Sequence, residues 1–144
     1  MGFSSQSRRK ERSPQMKADE RSDQDLPPDS LARLDARLLA FARERDWEQF
    51  QSPKNLAMAL AGEAGELLEH FQWLTEEQSA NLDADKCRAV AHELADILNY
   101  LVRLAERLGI DLLAAADEKI AINEQRYPAD KVRGDARRAA EYES

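Results

Sequence analysis

Asn55 to Trp73 reads NLAMALAGEAGELLEHFQW. Leu56, Ala59, Leu60, Leu67 and Phe71 recur at helical spacing, so the stretch is a helix with an apolar side. Glu63 and Glu66 lie on the same helix. At about 100° per residue, carboxylates three apart stand one turn apart on the same side, about 60° around the axis. Two negative charges so placed repel each other unless a cation joins them. The spacing recurs at Glu93 and Asp96, in HELADILNY inside a second apolar helix. The chain between Glu66 and Glu93 is long enough to finish one helix, turn and return antiparallel, so four carboxylates can converge.

Working outward, 144 residues is the size of one domain with room for a core. Hydrophobic residues make up 42% and charged residues 34%, with five glycines and five prolines, which suits a soluble helical protein. The net charge is −7, with +1 over residues 1–28, zero over 129–144 and −8 between them. That argues against broad nucleic-acid binding through an electropositive surface. Cys87 is the only cysteine, which precludes an internal disulfide, and its expected role is a buried small side chain. No apolar run approaches the ~20 residues that cross a bilayer. Arg8 and Arg9 are followed by Lys10, Glu11 and Arg12 where an export signal needs an apolar stretch. Gln6 stands where a myristoylation signal after Gly2 needs Ser or Thr. A cytoplasmic protein with no membrane partner is expected.

Residues 1–28 are polar and charged, with too few large apolar side chains to offset ordering entropy, so a disordered tail is expected. The folded domain is expected over 29–128, and a frayed or disordered tail, a solvated helix at most, over 129–144. A first helix should begin at Asp29 or Ser30, with Leu31, Leu34, Leu38, Phe41 and Ala42 as its core face. Trp47 and Phe50 fall in the next connector, where large aromatics commonly seal the end of a bundle. Ser52 and Pro53 open the second helix as N-cap and first-turn residue. Lys54 then sits in its first turn, where a cation is unfavourable beside the helix dipole unless an anion is near. It is either a solvated lysine or a phosphate contact. Thr75 and Gln78 fit a capping box for a short helical turn. A long helix should run from about Asp85 to Leu108, stopped by Gly109. Asp111 can cap the next, in which Leu113, Ala116 and Ile120 should face inward until Pro128 closes the pattern. The whole is an all-α antiparallel bundle of about four helices.

Carboxylates on facing helices of a bundle can hold a metal, and here the ligands would all be oxygen. No Glu-x-x-His is present, since Leu67 precedes His70 by three and Ala89 precedes His92 by three, which disfavours a di-iron site. An all-carboxylate site suits a hard cation such as Mg²⁺ that keeps waters and a substrate phosphate as further ligands. Spacing alone is equally compatible with a polar face. Charges beside Leu67, Leu68, Leu94 and Ile97 are nevertheless costly unless paired or metal-bound.

GEAGEL followed by HELADILNYL resembles the E-x-x-E and E-x-x-D signature of the MazG-like all-α nucleoside triphosphate pyrophosphohydrolases. ERDWEQFQSPKNLAMALAGEAGELLEHFQW and KIAINEQRYP are similar, more narrowly, to the dCTP pyrophosphatase branch. The resemblance covers about Leu31 to Pro128. It implies Mg²⁺-dependent hydrolysis of a nucleoside triphosphate to monophosphate and pyrophosphate by a homodimer or homotetramer. Glu63, Glu66, Glu93 and Asp96 match its metal-binding carboxylates; the chemistry of the reaction asks one carboxylate, Glu66 or Glu63, to hold or deprotonate the water. Trp47 and Trp73 match aromatics that border the base. Tyr100, Lys119, Asn123, Arg126 and Tyr127 match positions near sugar and phosphates, and Lys54 and Asn55 are further candidates. Leu38 stands where the branch can carry a histidine, whose hydrogen bonds leucine cannot replace. Asn99 stands where it can carry an aliphatic residue. Two other classes stay open at this point: an inactive relative that binds nucleotide or metal, and a purely structural bundle.

Overall fold

A computed structural model of the chain describes Pro27 and residues 30–137. The expected N-terminal tail up to residue 26 and the last residues of the C-terminal one lie outside the described residues. The helices are α1 (Leu31–Glu44), α2 (Pro53–Glu69), α3 (Glu76–Ala80), α4 (Ala84–Arg107), α5 (Leu112–Arg126) and α6 (Ala129–Val132), with a 3₁₀ turn at Glu48–Phe50. No strand occurs among the described residues.

Local chemistry sets most of the boundaries. Ser30 and Ser52 accept a hydrogen bond from the backbone N–H three residues on and so start α1 and α2. Thr75 and Gln78 cap α3 reciprocally, at 3.2 and 2.9 Å. Asp111 starts α5 by accepting from the Ala114 amide. α4 begins slightly earlier than the sequence suggested, because Asp83 caps it by accepting from the Lys86 amide at 2.7 Å. Gly109 stops α4 at φ 65°, a left-handed conformation that glycine enters without steric cost. α6 gives part of the expected C-terminal tail a short helix.

Packing centres on α4, which lies against α2 and α1. Ala42, Leu56, Val102 and Ala105 are buried there. This core is smaller than the chain length suggested. Phe41, expected in the core, is exposed, as are the apolar residues Leu94, Leu98, Leu101 and Leu108 of α4 and its end. α5 departs furthest from expectation. Leu113 is 63% and Ile120 57% exposed, and every residue from Leu113 to Arg126, Ala116 included, faces solvent. An amphipathic pattern requires that the apolar side be covered, and nothing in the described part of this chain covers it. Cys87, expected inside, is also exposed, on the outer side of α4's first turns.

Candidate functional site

The packing of α2 on α4 faces the two acidic pairs toward each other. Glu63 and Glu66 from α2 and Glu93 from α4 each bring a carboxylate oxygen to within 4.8 Å of the others. Asp96 lies outside that trio but close enough for its charge to act on Glu63. Partial burial foremost, then the charges of Glu66, Asp96 and Glu93, raises the Glu63 carboxyl above the usual carboxylate range. The donor set is all oxygen and carries several negative charges, which fits a hard divalent cation. Beside the cluster, His70 Nε2 lies 3.7 Å from Glu93 Oε1. His70 caps the end of α2 and meets Glu93 of α4 across the helix pair, a contact that Glu-x-x-His spacing within one helix does not describe.

The other candidates are distributed around this cluster. Trp47 lies in the connector between α1 and α2, 49% exposed, its ring edge-on to Phe41 with centroids 5.9 Å apart. Phe50 is exposed as well, so the connector aromatics leave the end of this chain open instead of sealing it. Trp73 follows α2 and is 86% exposed. Tyr100 is half-buried on α4, one turn beyond Asp96, and Lys54 is exposed at the start of α2. Asn55, also exposed, donates its side-chain amide to the Phe50 carbonyl at 2.9 Å and ties α2 to the connector.

Lys119, Asn123 and Arg126 lie on α5, which the fold leaves unpacked, with Tyr127 half-buried at its end. The Arg126 guanidinium stands 5.8 Å from the Tyr127 ring centre. α2 and α4 thus bring the acidic residues together, whereas the basic residues of α5 stand on a separate, uncovered helix. A shallow groove of about 620 Å³ beside α3, lined by Leu74, Glu77, Gln78, Asn81, Leu82, Asp83 and Lys86, shares none of these residues.

One cluster escaped the reading of the sequence. Arg103 is 3% exposed on α4 and reaches Asp35 on α1 at 2.8 Å and Gln51 in the connector at 3.2 and 3.3 Å. No local spacing links these three. A single arginine between Val102 and Leu104 was the one available signal.

The chain is similar to known proteins over most of this region. The MazG-like family model matches residues 59–141. dCTP pyrophosphatase 1 of Homo sapiens is 47% identical over 103 residues, covering 70% of this chain and 61% of that protein. dCTP pyrophosphatase 1 of Rattus norvegicus is 50% identical over 98 residues, covering 67% of this chain and 58% of that one. The chain therefore spans about three-fifths of the length of these relatives. Among solved structures, a pyrophosphatase from Archaeoglobus fulgidus superposes with a TM-score of 0.62 at 34% identity, covering 65% of this chain and 87% of that one. No described helix is long and apolar enough to cross a membrane.

Proposed function

Because the chain belongs to the MazG-like family, we propose that it is a nucleoside triphosphate pyrophosphohydrolase that converts dCTP, or a related deoxynucleotide, to the monophosphate and pyrophosphate. The observation that carries this reading is the meeting of Glu63, Glu66 and Glu93 within 4.8 Å. The identity to proteins named dCTP pyrophosphatase 1 supports the substrate class.

Glu63, Glu66, Glu93 and Asp96 would hold Mg²⁺. Bound there, Mg²⁺ supplies positive charge to the triphosphate and acidity to water. The chain's own residues do the rest. Glu63 or Glu66, one turn apart on α2, takes the proton from the water attacking phosphorus or orients that water. The α–β phosphoanhydride bond breaks and pyrophosphate departs with the bonding electron pair. Trp47 and Trp73 offer flat faces to the base, where stacking contributes roughly 1–3 kcal/mol in single-stranded nucleic-acid systems. Tyr100 and Tyr127 border the sugar. Lys54, Lys119, Asn123 and Arg126 hold the phosphates. Lys119 and Arg126 are two helical turns apart with Asn123 between them, so one side of α5 can present all three.

α5 delivers that side through a second copy of the chain. Its exposed Leu113 and Ile120 are the apolar surface on which a homodimer or homotetramer would close, bringing phosphate-binding residues of one subunit to the carboxylates of its partner. Residues 29–128 form the working domain. The setting is the cytoplasm, the role clearance of unwanted nucleotides, and neither nucleic acid nor membrane is a partner.

Pyrophosphate release from each common nucleoside triphosphate, with and without Mg²⁺, tests the reading. Mg²⁺-dependent release, strongest with dCTP, is expected. A preference for another base would move the specificity and keep the reaction. Folded protein that releases pyrophosphate from none of them would overturn the proposal in favour of an inactive nucleotide-binding module.

A further inference from the structure

Arg103 is the one buried charged residue among those described, and it lies outside the acidic cluster. Its guanidinium donates to Asp35 Oδ1 at 2.8 Å, to Glu106 Oε2 at 3.2 Å, and through two nitrogens to Gln51 Oε1. One turn along α4, Arg107 donates to the backbone carbonyl of Gln51 at 3.1 Å. Gln51 is thus held at side chain and main chain by two arginines of the helix that carries Glu93 and Asp96.

Gln51 joins the 3₁₀ turn to the N-cap of α2. The turn before it contains Asp46 at φ 55°, a left-handed conformation uncommon for residues other than glycine. Gln49 donates to both the carbonyl and a carboxylate oxygen of Asp46. The Trp47 amide donates to the Ala42 carbonyl at 2.9 Å. Each of these contacts is local to the connector and α1. Among the described residues, the hydrogen bonds of Gln51 to Arg103 and Arg107 tie the connector to α4. Charge-assisted hydrogen bonds made away from water are the stronger kind.

We infer that Arg103 is a positioning residue: by clamping Gln51 it sets the place of Trp47 relative to the carboxylates on α4, and so sets affinity for the base. This rests on the proposed function, in which Trp47 borders the base. Arg103 touches neither substrate nor metal in this account.

The test compares Arg103→Met, Gln51→Met and Asp35→Asn. Gln51→Met removes the side-chain half of the clamp and leaves both the Arg107 bond to the backbone carbonyl at that position and the Arg103–Asp35 pair, so it remains informative if Arg103→Met fails to fold. Asp35→Asn keeps an acceptor for Arg103 and weakens the pair. For both methionine variants KM for dCTP should rise about tenfold with kcat within about twofold, as for a lost binding contribution. The Mg²⁺ concentration for half activity should stay in place. In a Trp73→Phe background, acrylamide quenching of Trp47 should increase for the same two variants. Asp35→Asn should lower the melting temperature and leave KM unchanged. Equal KM in all three variants with unchanged quenching would overturn the inference. So would a fall in kcat alone, which would place Arg103 in support of the carboxylates. If the parent protein hydrolyses no nucleotide, the proposed function fails, and increased quenching would then uphold the anchoring of Trp47 alone.

Discussion

Glu63 concentrates the physical tension of the site, because burial and three neighbouring carboxylates all favour its protonated form. Below the ordinary carboxylate range it holds its proton in folded and unfolded chains alike and adds no pH dependence. As pH rises toward the raised value, the unfolded chain releases that proton first, so stability is lost through this window and stays lost above it. Metal-free Glu63→Gln should therefore melt at a higher temperature than the parent at pH 7, with the difference vanishing below the carboxylate range; calorimetry across pH checks both. The same variant should lose the stabilisation that Mg²⁺ gives the parent and about 10²–10⁴-fold in kcat. The acidic pairs were legible in the sequence because spacing along a helix is local information. The Arg103 clamp was not, since its partners lie 52 and 68 residues away and nothing periodic relates them.

Helix ends followed the same rule. The caps at Ser30, Ser52, Thr75 and Asp111, and the stop at Gly109, each depend on a residue and its neighbour within a turn, and all were readable in the sequence. Ser52 is the cap with functional reach, since it fixes the start of the helix that carries Glu63 and Glu66. Ser52→Ala should cost about 1 kcal/mol of unfolding free energy, measured by urea titration, with the other helices intact. For α5 the pattern revealed the apolar side but not its partner. Periodicity records that Leu113 and Ile120 must leave water; it carries no information on whether the covering surface belongs to the same chain.

At the scale of the molecule, the carboxylates of the proposed site lie on the packed pair α2 and α4, and Lys119, Asn123 and Arg126 on the exposed α5. If each site draws α5 from its neighbour, Glu63→Ala and Arg126→Ala chains are inactive alone but complementary when mixed. Co-refolding equal amounts should return about a quarter of parental activity for a dimer, since half the dimers are mixed and each has one intact site; sites contained within one chain would stay inactive. The four small-to-medium side chains buried in a single copy, Ala42, Leu56, Val102 and Ala105, have a kinetic corollary. On the proposed association, the apolar side of α5 leaves water only when a second copy covers it, so the rate-limiting event of renaturation becomes an encounter. Recovery of helical signal after dilution from urea should be second order in protein, its half-time doubling each time the concentration is halved.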